Sequence, residues 1–486
     1  MRHFAATSLL LVGLTGCSLI PTYHRPALPV AAQWPTSPAA PATGAKPASR
    51  MPAADMGWRD FFTDPLEQEL IALSLANNRD LRIAVLNVAG AQAQYESARA
   101  NLFPAVNADA SYLRSSTPGD VTGMSSREEV REYSLGASAV SWELDLFGRI
   151  RSQASAAHNT FLSDAYMQQS AQIALVAQVG SEYLTWLADR EALTVSQATA
   201  QTQIASLQLV QAKAAHGEAT ALDVAQAETT VDTANASVAQ YTRQVAQDMD
   251  ELVLLVGTPL PAALVAQMDA AAGLDSEPGF PDLPAGLPAD LLERRPDIRA
   301  AEYTLIAAND NVGAARAAFF PEVTLTARGG AASSGLSHLL SDWPATWLFE
   351  PSASVPIFDA GQNFANLDVA KVKKRVEIAS YEKAIQSAFR DVADALAARS
   401  TYADQVAAEQ ALVDADDRYY QLSDMRFKAG IDSYLNVLIA HDALFNAQLT
   451  LINLKLASMQ SSVTLYKALG GGWQEQSEPE HIASAR

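Results

Sequence analysis

One arrangement occurs twice in this chain and limits what it can fold into: a helix that runs straight into a strand. At Arg295-Pro296-Asp297-Ile298 a proline followed by an acid opens a helix, and Ala-rich turns carry it to Phe320-Pro321. Proline pushes the preceding residue out of the α region, so the helix stops there. Val323, Leu325 and Ala327 then alternate with Glu322, Thr324 and Thr326, the two-residue period of a strand. The same succession lies between Asp80 and Val106, with Phe103-Pro104 at its turn. Asp80, Arg82, Ala84, Ala91, Ala98, Arg99, Ala100, Phe103, Pro104 and Val106 all recur 217 positions later. So many matches in one register mark a tandem duplication.

Each copy continues in the same order. In the first, Val106, Ala108, Ala110 and Tyr112 share a strand face, and residues 115–130 form a polar loop. Tyr133, Leu135, Ala137 and Ala139 share a second strand, whose phase slips to Trp142, Leu144 and Leu146, as at a bulge. From Gly148 to about Lys213 there is no proline, which predicts a helix of ~100 Å suited to a coiled coil. Gly217 breaks it, and Ala221–Val256 returns. Residues 258–288 hold six prolines and read as a semi-rigid connection. In the second copy Val323–Ala327 leads to Gly329-Gly330 and a Ser/Gly loop, and the partner strand alternates from Trp347 to Ile357. A long helix runs from Gly361 to about Lys428, and Gly430 breaks it. The last helix carries Phe445, Leu449, Ile452, Leu456, Met459, Val463 and Tyr466 at heptad spacing and stops at Gly470-Gly471-Gly472. Here the offset between copies is 213 (Gly148/Gly361, Gly217/Gly430, Gly257/Gly470), so the second hairpin loop is four residues shorter.

Each copy therefore supplies two strands of about 9–12 residues, long enough to span a bilayer when tilted. Four strands are too few to close a barrel, and open edges cannot face lipid. Either the strands form soluble hairpins, or several chains share a barrel; three chains would give twelve strands. The formal charge of −20 argues against a nucleic-acid partner. No catalytic constellation, zinc-ligand spacing or phosphate-binding glycine loop stands out, so the expectation is a non-enzyme without cofactor or metal. The outward Tyr112, Tyr133, Trp347 and Phe349 suit an aromatic girdle.

The N-terminus reads as a secretory signal: Arg2 and His3, then apolar Leu9-Leu10-Leu11-Val12, then Leu14-Thr15-Gly16-Cys17. The last four residues resemble a bacterial lipobox, which implies cleavage before Cys17, diacylglycerol on its sulfur and palmitate among the acyl chains. Together with Leu291-Leu292-Glu293-Arg294-Arg295-Pro296-Asp297-Ile298, the two Phe-Pro junctions, Gly430-Ile431-Asp432-Ser433-Tyr434-Leu435 and Leu465-Tyr466-Lys467-Ala468-Leu469-Gly470-Gly471-Gly472-Trp473, it makes nearly the whole mature chain resemble the lipoprotein branch of the TolC-like outer-membrane efflux channels. The resemblance implies an α+β membrane protein: a homotrimer with a twelve-stranded outer-membrane β-barrel on a periplasmic α-barrel of coiled-coil helices. It implies a periplasmic adaptor and an inner-membrane transporter as partners, with drugs, solvents or metals as cargo and antibiotic resistance as consequence. The expected organisation is a signal peptide at 1–16, a lipidated tether at 17–57, repeats at 58–257 and 291–472, a Pro-rich linker at 258–290 and a tail at 473–486.

By the same resemblance, the functional residues lie at the helical tip, near Gly217 and Gly430. The family narrows this end with a ring of carboxylates on the last helix; the aligned position here is Ile439, and a neighbouring one is Asn436. Leu435 matches a hydrophobic gate residue. The expected gate is Leu435 and Ile439, with Asp432, Asp442 and Asp223 supplying charge and Gln226 beside them. Arg294, Arg295, Asp297 and Arg299 read as structural. A periplasmic adaptor lipoprotein or a coiled-coil scaffold would also be long and helical. Neither needs two amphipathic strand hairpins at equivalent points of a duplication. Phe103, Pro104, Phe320 and Pro321 become the place where helices meet barrel. Pro321→Ala is therefore expected to lower trimer yield on unheated gels before it alters gating. Normal trimers with altered gating would put the junction at the wrong end of the molecule.

Overall fold

The computed structural model describes residues 18–34, 51–118, 128–271, 273–286 and 288–477; Cys17, the lipidation candidate, lies outside them. In chain order the described helices and strands are α1 (Trp58–Phe61), α2 (Pro65–Asn77), α3 (Arg79–Ala100), β1 (Asn107–Thr117), β2 (Glu128–Glu143), α4 (Arg149–Ala215), α5 (Ala221–Val256), α6 (Ala262–Asp269), α7 (Leu291–Arg294), α8 (Pro296–Ala317), β3 (Glu322–Ser333), α9 (Leu336–Ser341), β4 (Ala345–Ser354), α10 (Gln362–Lys428) and α11 (Tyr434–Ala468). They fall into two compact units.

The first unit, Met1–Ala27, Asn87–Ala165 and Ala300–Glu382, holds the sheet. Its strands pair antiparallel in the order β1-β2-β3-β4, so β1 and β4 are edges. The phase slip near Trp142 is a bulge: the β2–β3 register shifts between Ala139 and Trp142, and Ser141 has φ 50°. Two expectations need correction. β3 does not end before Gly329-Gly330 but runs through them to Ser333, with Gly136 opposite Gly330. The glycines there make room rather than a turn: a Cβ on Gly330 would lie 2.2 Å from the Leu135 carbonyl oxygen. β4 ends at Ser354, short of Ile357, because Pro356 has no N–H to continue a ladder. Tyr112 and Tyr133 are directly opposite, their rings 4.6 Å apart, and Trp347 and Phe349 stand exposed against Gly329 and Ala327. At both helix-to-strand junctions a tightened last turn ends on the Phe: Phe103 N–H donates to the Ala100 carbonyl and Phe320 N–H to the Ala317 carbonyl, each at 3.0 Å. Phe320 also stacks on Phe147 at 4.8 Å.

The second unit, Leu28–Leu86, Tyr166–Arg299 and Lys383–Arg486, shows the duplication in its hydrogen bonds. Asn78 donates its side-chain amide to the Leu255 carbonyl at 2.8 Å; at the equivalent place Arg295 donates to the Ala468 carbonyl at 3.2 Å. Gly257 and Gly470, with φ 76° and 86°, end the returning helices, and a Cβ would lie 2.6 Å from the Asn77 carbonyl oxygen and 2.7 Å from that of Arg294. Arg295 is further held by Asp297 at 2.6 and 3.0 Å, and Arg294 pairs with Asp55 at 2.9 Å. The arginine motif thus closes the second repeat onto its own C-terminus. Tyr466 stacks on Phe61 at 4.0 Å and donates to the Met56 carbonyl, while Gly471 lies against its ring.

The Pro-rich stretch is more ordered than its composition suggests. It contains α6, buries Leu264, Met268, Leu274 and Leu283, and is tied down by Lys455–Asp275 at 2.7 Å and by Arg399–Asp282. On α2 the buried face is Glu67, Leu70, Ile71 and Ser74. On α11 the heptad stripe is buried at Ile452, Val463 and Tyr466 and half-buried at Phe445 and Leu449, while nearer the tip Val437, Ala440, His441, Leu444 and Ala447 are the buried residues. There the neighbours, not the apolar spacing alone, choose the face. α11 is also long and apolar enough, by length and composition, to cross a membrane.

Glu67 and Glu277 are both buried, and among the described residues none of their four carboxylate oxygens has a hydrogen-bond partner. Burial, aided by the charge of Asp64, pushes Glu277 up to about 7, and burial holds Glu67 well above the ordinary carboxylate range. The folded chain keeps the Glu277 proton up to about pH 7, whereas the unfolded chain releases it near 4.5. Between these values the folded state binds more protons, so stability falls as pH rises and stays lower above pH 7. Glu277→Gln is expected to raise the melting temperature above about pH 7 and to leave it nearly unchanged below about pH 4.5, as followed by circular dichroism.

Candidate functional site

The two helical turns named from the sequence are built alike. α4 and α10 each run for 67 residues, then stop on Gly217 and Gly430, whose φ values of 77° and 72° lie in the left-handed region. Gly217 N–H donates to the Ala214 carbonyl and Gly430 N–H to that of Phe427; Glu218 N–H reaches back to Lys213 and Ile431 N–H to Arg426. Between them lies a small core of Val210, Ala227, Phe427, Tyr434 and Val437. Lys213 places its ammonium 4.2 Å from the Phe427 ring, and Ser206 donates to or accepts from the Tyr434 hydroxyl at 3.2 Å.

The candidate residues separate by what they touch. Leu435 and Ile439 lie one turn apart on α11, and both are exposed while Tyr434 and Val437 point into the core. Asp223 is committed to the start of α5: it completes a capping box with Thr220, accepting from the Thr220 N–H at 2.8 Å and hydroxyl at 2.7 Å. Those bonds hold its carboxyl below the usual range. Asp432 is committed to Arg426 through contacts of 2.5 and 3.2 Å, which likewise lower it. Asp442 and Gln226 line a groove of about 460 Å³ whose walls include Thr230, Thr233, His441 and Phe445, and desolvation pushes Asp442 upward. The tip therefore sorts three aspartates into one cap, one ion pair and one groove-lining acid.

His441 was missed. It is buried, packs edge-on against Tyr420 at 5.2 Å, and burial pushes its imidazole below the ordinary value. The sequence did carry a signal: Tyr434, Val437, His441 and Leu444 share the 3-4 spacing of a buried stripe. Phe103, Pro104, Phe320 and Pro321 belong to the first unit and are not part of the tip.

The chain matches the outer membrane efflux protein family over residues 70–258 and 287–471. It is 47% identical over 463 residues to the toluene efflux pump outer membrane protein TtgC of Pseudomonas putida, covering 95% of this chain and 94% of that one. It is 45% identical over 475 residues to the solvent efflux pump outer membrane protein SrpC of Pseudomonas putida, with 97% and 99% coverage. Among solved structures, the MtrE outer membrane channel of Neisseria gonorrhoeae in its open state is similar at a TM-score of 0.84 and 35% identity, covering 95% of this chain and 100% of that one.

The second turn lacks the cap of the first. Ser433 stands where Thr220 does but makes no side-chain cap, and Asn436 replaces Asp223. Asp223→Ala is expected to lose about 1 kcal/mol locally, read as faster hydrogen exchange at 218–226. Asn436→Asp is expected to slow exchange at 431–438 by completing the missing box.

Proposed function

The chain belongs to the outer membrane efflux protein family, and we propose that it acts as a homotrimeric duct, four strands from each copy closing a twelve-stranded barrel. It is an outer-membrane channel component of an efflux pump. The observation that carries the trimer is the pair of edge strands β1 and β4: in lipid, each must be paired by another chain. Exposed apolar stripes on α10 give such chains a surface to pack on: Phe364, Val369, Val372 and Val376, and further along Leu412, Tyr419, Leu422 and Met425.

In this reading a periplasmic adaptor and an inner-membrane transporter deliver the cargo, and energy enters through the transporter. The names of TtgC and SrpC favour toluene-like solvents and other toxic small molecules as that cargo. The mature chain is anchored by lipid at Cys17 after removal of residues 1–16 and extends into the periplasm. The junctions at Phe103-Pro104 and Phe320-Pro321 join helices to barrel. Leu435 and Ile439, exposed beside the tip core, close the periplasmic end when three copies meet, with Asp442 and Gln226 lining a groove on the same hairpins and Asp432 and Asp223 held at the turns.

The test is heat-modifiable migration as a trimer together with conductance in planar bilayers. Leu435→Ala is expected to raise conductance and Ile439→Asp to raise conductance and cation preference. A monomeric, non-conducting protein would sink the duct; conducting trimers indifferent to both substitutions would sink only the gate.

A further inference from the structure

Residues 19–25 run antiparallel along α8, each contact a step further from the strand that follows the helix. Arg316 donates to the Leu19 carbonyl at 3.4 Å, and Asn309 donates to the Pro21 carbonyl at 2.8 Å. The Arg25 guanidinium meets the Glu302 carboxylate with two bonds of 2.7 and 2.8 Å, and the Tyr23 hydroxyl donates to the same carboxylate at 3.1 Å. Ile20 lies flat on Gly313, where a Cβ would sit 2.6 Å from Ile20 Cγ1 and 2.8 Å from its Cα. Asn309 is buried and also accepts from Lys374 of α10 at 2.8 Å, so it joins strap, α8 and α10. Glu302 is buried as well, and Arg25 is the partner that neutralises it.

The first repeat has no such site. At the positions equivalent to Glu302, Asn309 and Gly313 stand Val85, Gln92 and Glu96. Gln92 and Glu96 make an ordinary exposed pair at 3.3 Å, one turn apart. Two helices that share so many identities thus differ where the strap touches: a carboxylate to clamp it, an amide to hold its carbonyl and a glycine to let its backbone in.

We propose that α8 carries a binding site for the chain's own residues 19–25, and that the seated strap holds the N-terminal end of the mature chain beside the α8–β3 junction. Leu19 is held at Arg316, and α8 ends one residue later at Ala317. Where Cys17 carries lipid, as read above, the anchor is attached two residues before Leu19 in the chain. The strap then sets the level of the junction against the bilayer surface. This last step rests on the lipid-anchor reading; the site on α8 does not.

The experiment uses the full-length protein extracted from outer membranes. Chymotrypsin is allowed to cut after Tyr23, and the N-terminal fragment is followed by mass spectrometry. Its release rate reports seating of the strap; its mass reports acylation. Release is expected to be slow in the parent protein and about tenfold or more faster in Glu302→Gln and in Gly313→Leu, because cleavage tracks the open fraction. Glu96→Leu, the equivalent change in the first repeat, is expected to leave the rate unchanged. Equal rates in the parent, Glu302→Gln and Gly313→Leu overturn the site. A protected fragment without acyl mass upholds the site and removes the lipid anchor.

Discussion

A strand that crosses lipid has no water to satisfy its backbone, so each of its N–H and C=O groups needs a strand on the correct side. Four strands in the order β1-β2-β3-β4 leave one flank of β1 and one of β4 without that partner inside the chain. Much else follows from this deficit. Closure in the proposed trimer requires copies to sit side by side, and side-by-side copies need long helices with apolar stripes facing outward, as α10 has. The prolines after Phe103 and Phe320 matter for the same reason. Each ends a helix within a few residues of a strand, so there is little irregular backbone where the proposed barrel begins.

Duplication supplies the frame, and the proposed sites fall where the copies part. Asn78 and Arg295 make the same bond to equivalent carbonyls, and Arg295 adds a carboxylate partner, Asp297, where the second repeat closes onto its own C-terminus. Thr220 with Asp223 makes a full capping box; Ser433 with Asn436 does not. The turn without the box precedes Leu435 and Ile439, so the proposed gate sits on the more weakly capped helix. α8 accepts the strap and α3 presents a solvated Gln-Glu pair instead. In each case equivalent positions of the two copies carry different side chains and so make different contacts.

The buried carboxylates show a second economy of this fold. Gly180 allows Phe62 and Glu67 to press against α4, leaving no space for a Cβ and no donor for the acid. A charge there would be strongly disfavoured, so the group is held protonated by its surroundings. Such an acid packs like a glutamine at low pH and becomes a liability as pH rises.

What the sequence determined by itself was everything governed by neighbours along the chain. Prolines at 104 and 321 and glycines at 148, 217, 361 and 430 act on their own φ, so helix ends and the order helix, strand, strand, helix, helix could be read residue by residue. The slip at Trp142 was legible for the same reason, since a bulge shifts the side-chain phase in the strand that contains it. What only the tertiary structure decided was how groups far apart in the chain meet. Arg25 finds Glu302 across 277 positions, and Tyr183 finds Asp64 across 119. Gly329-Gly330 looked like a loop because glycine weakens strands, yet it lies in the strand, and at Gly330 β2 approaches too closely for any Cβ. The aspartates at the tip were visible, but their roles were not: a cap, an ion pair and a groove wall depend on which donor lies within 3 Å or so, and periodicity carries no information about that distance.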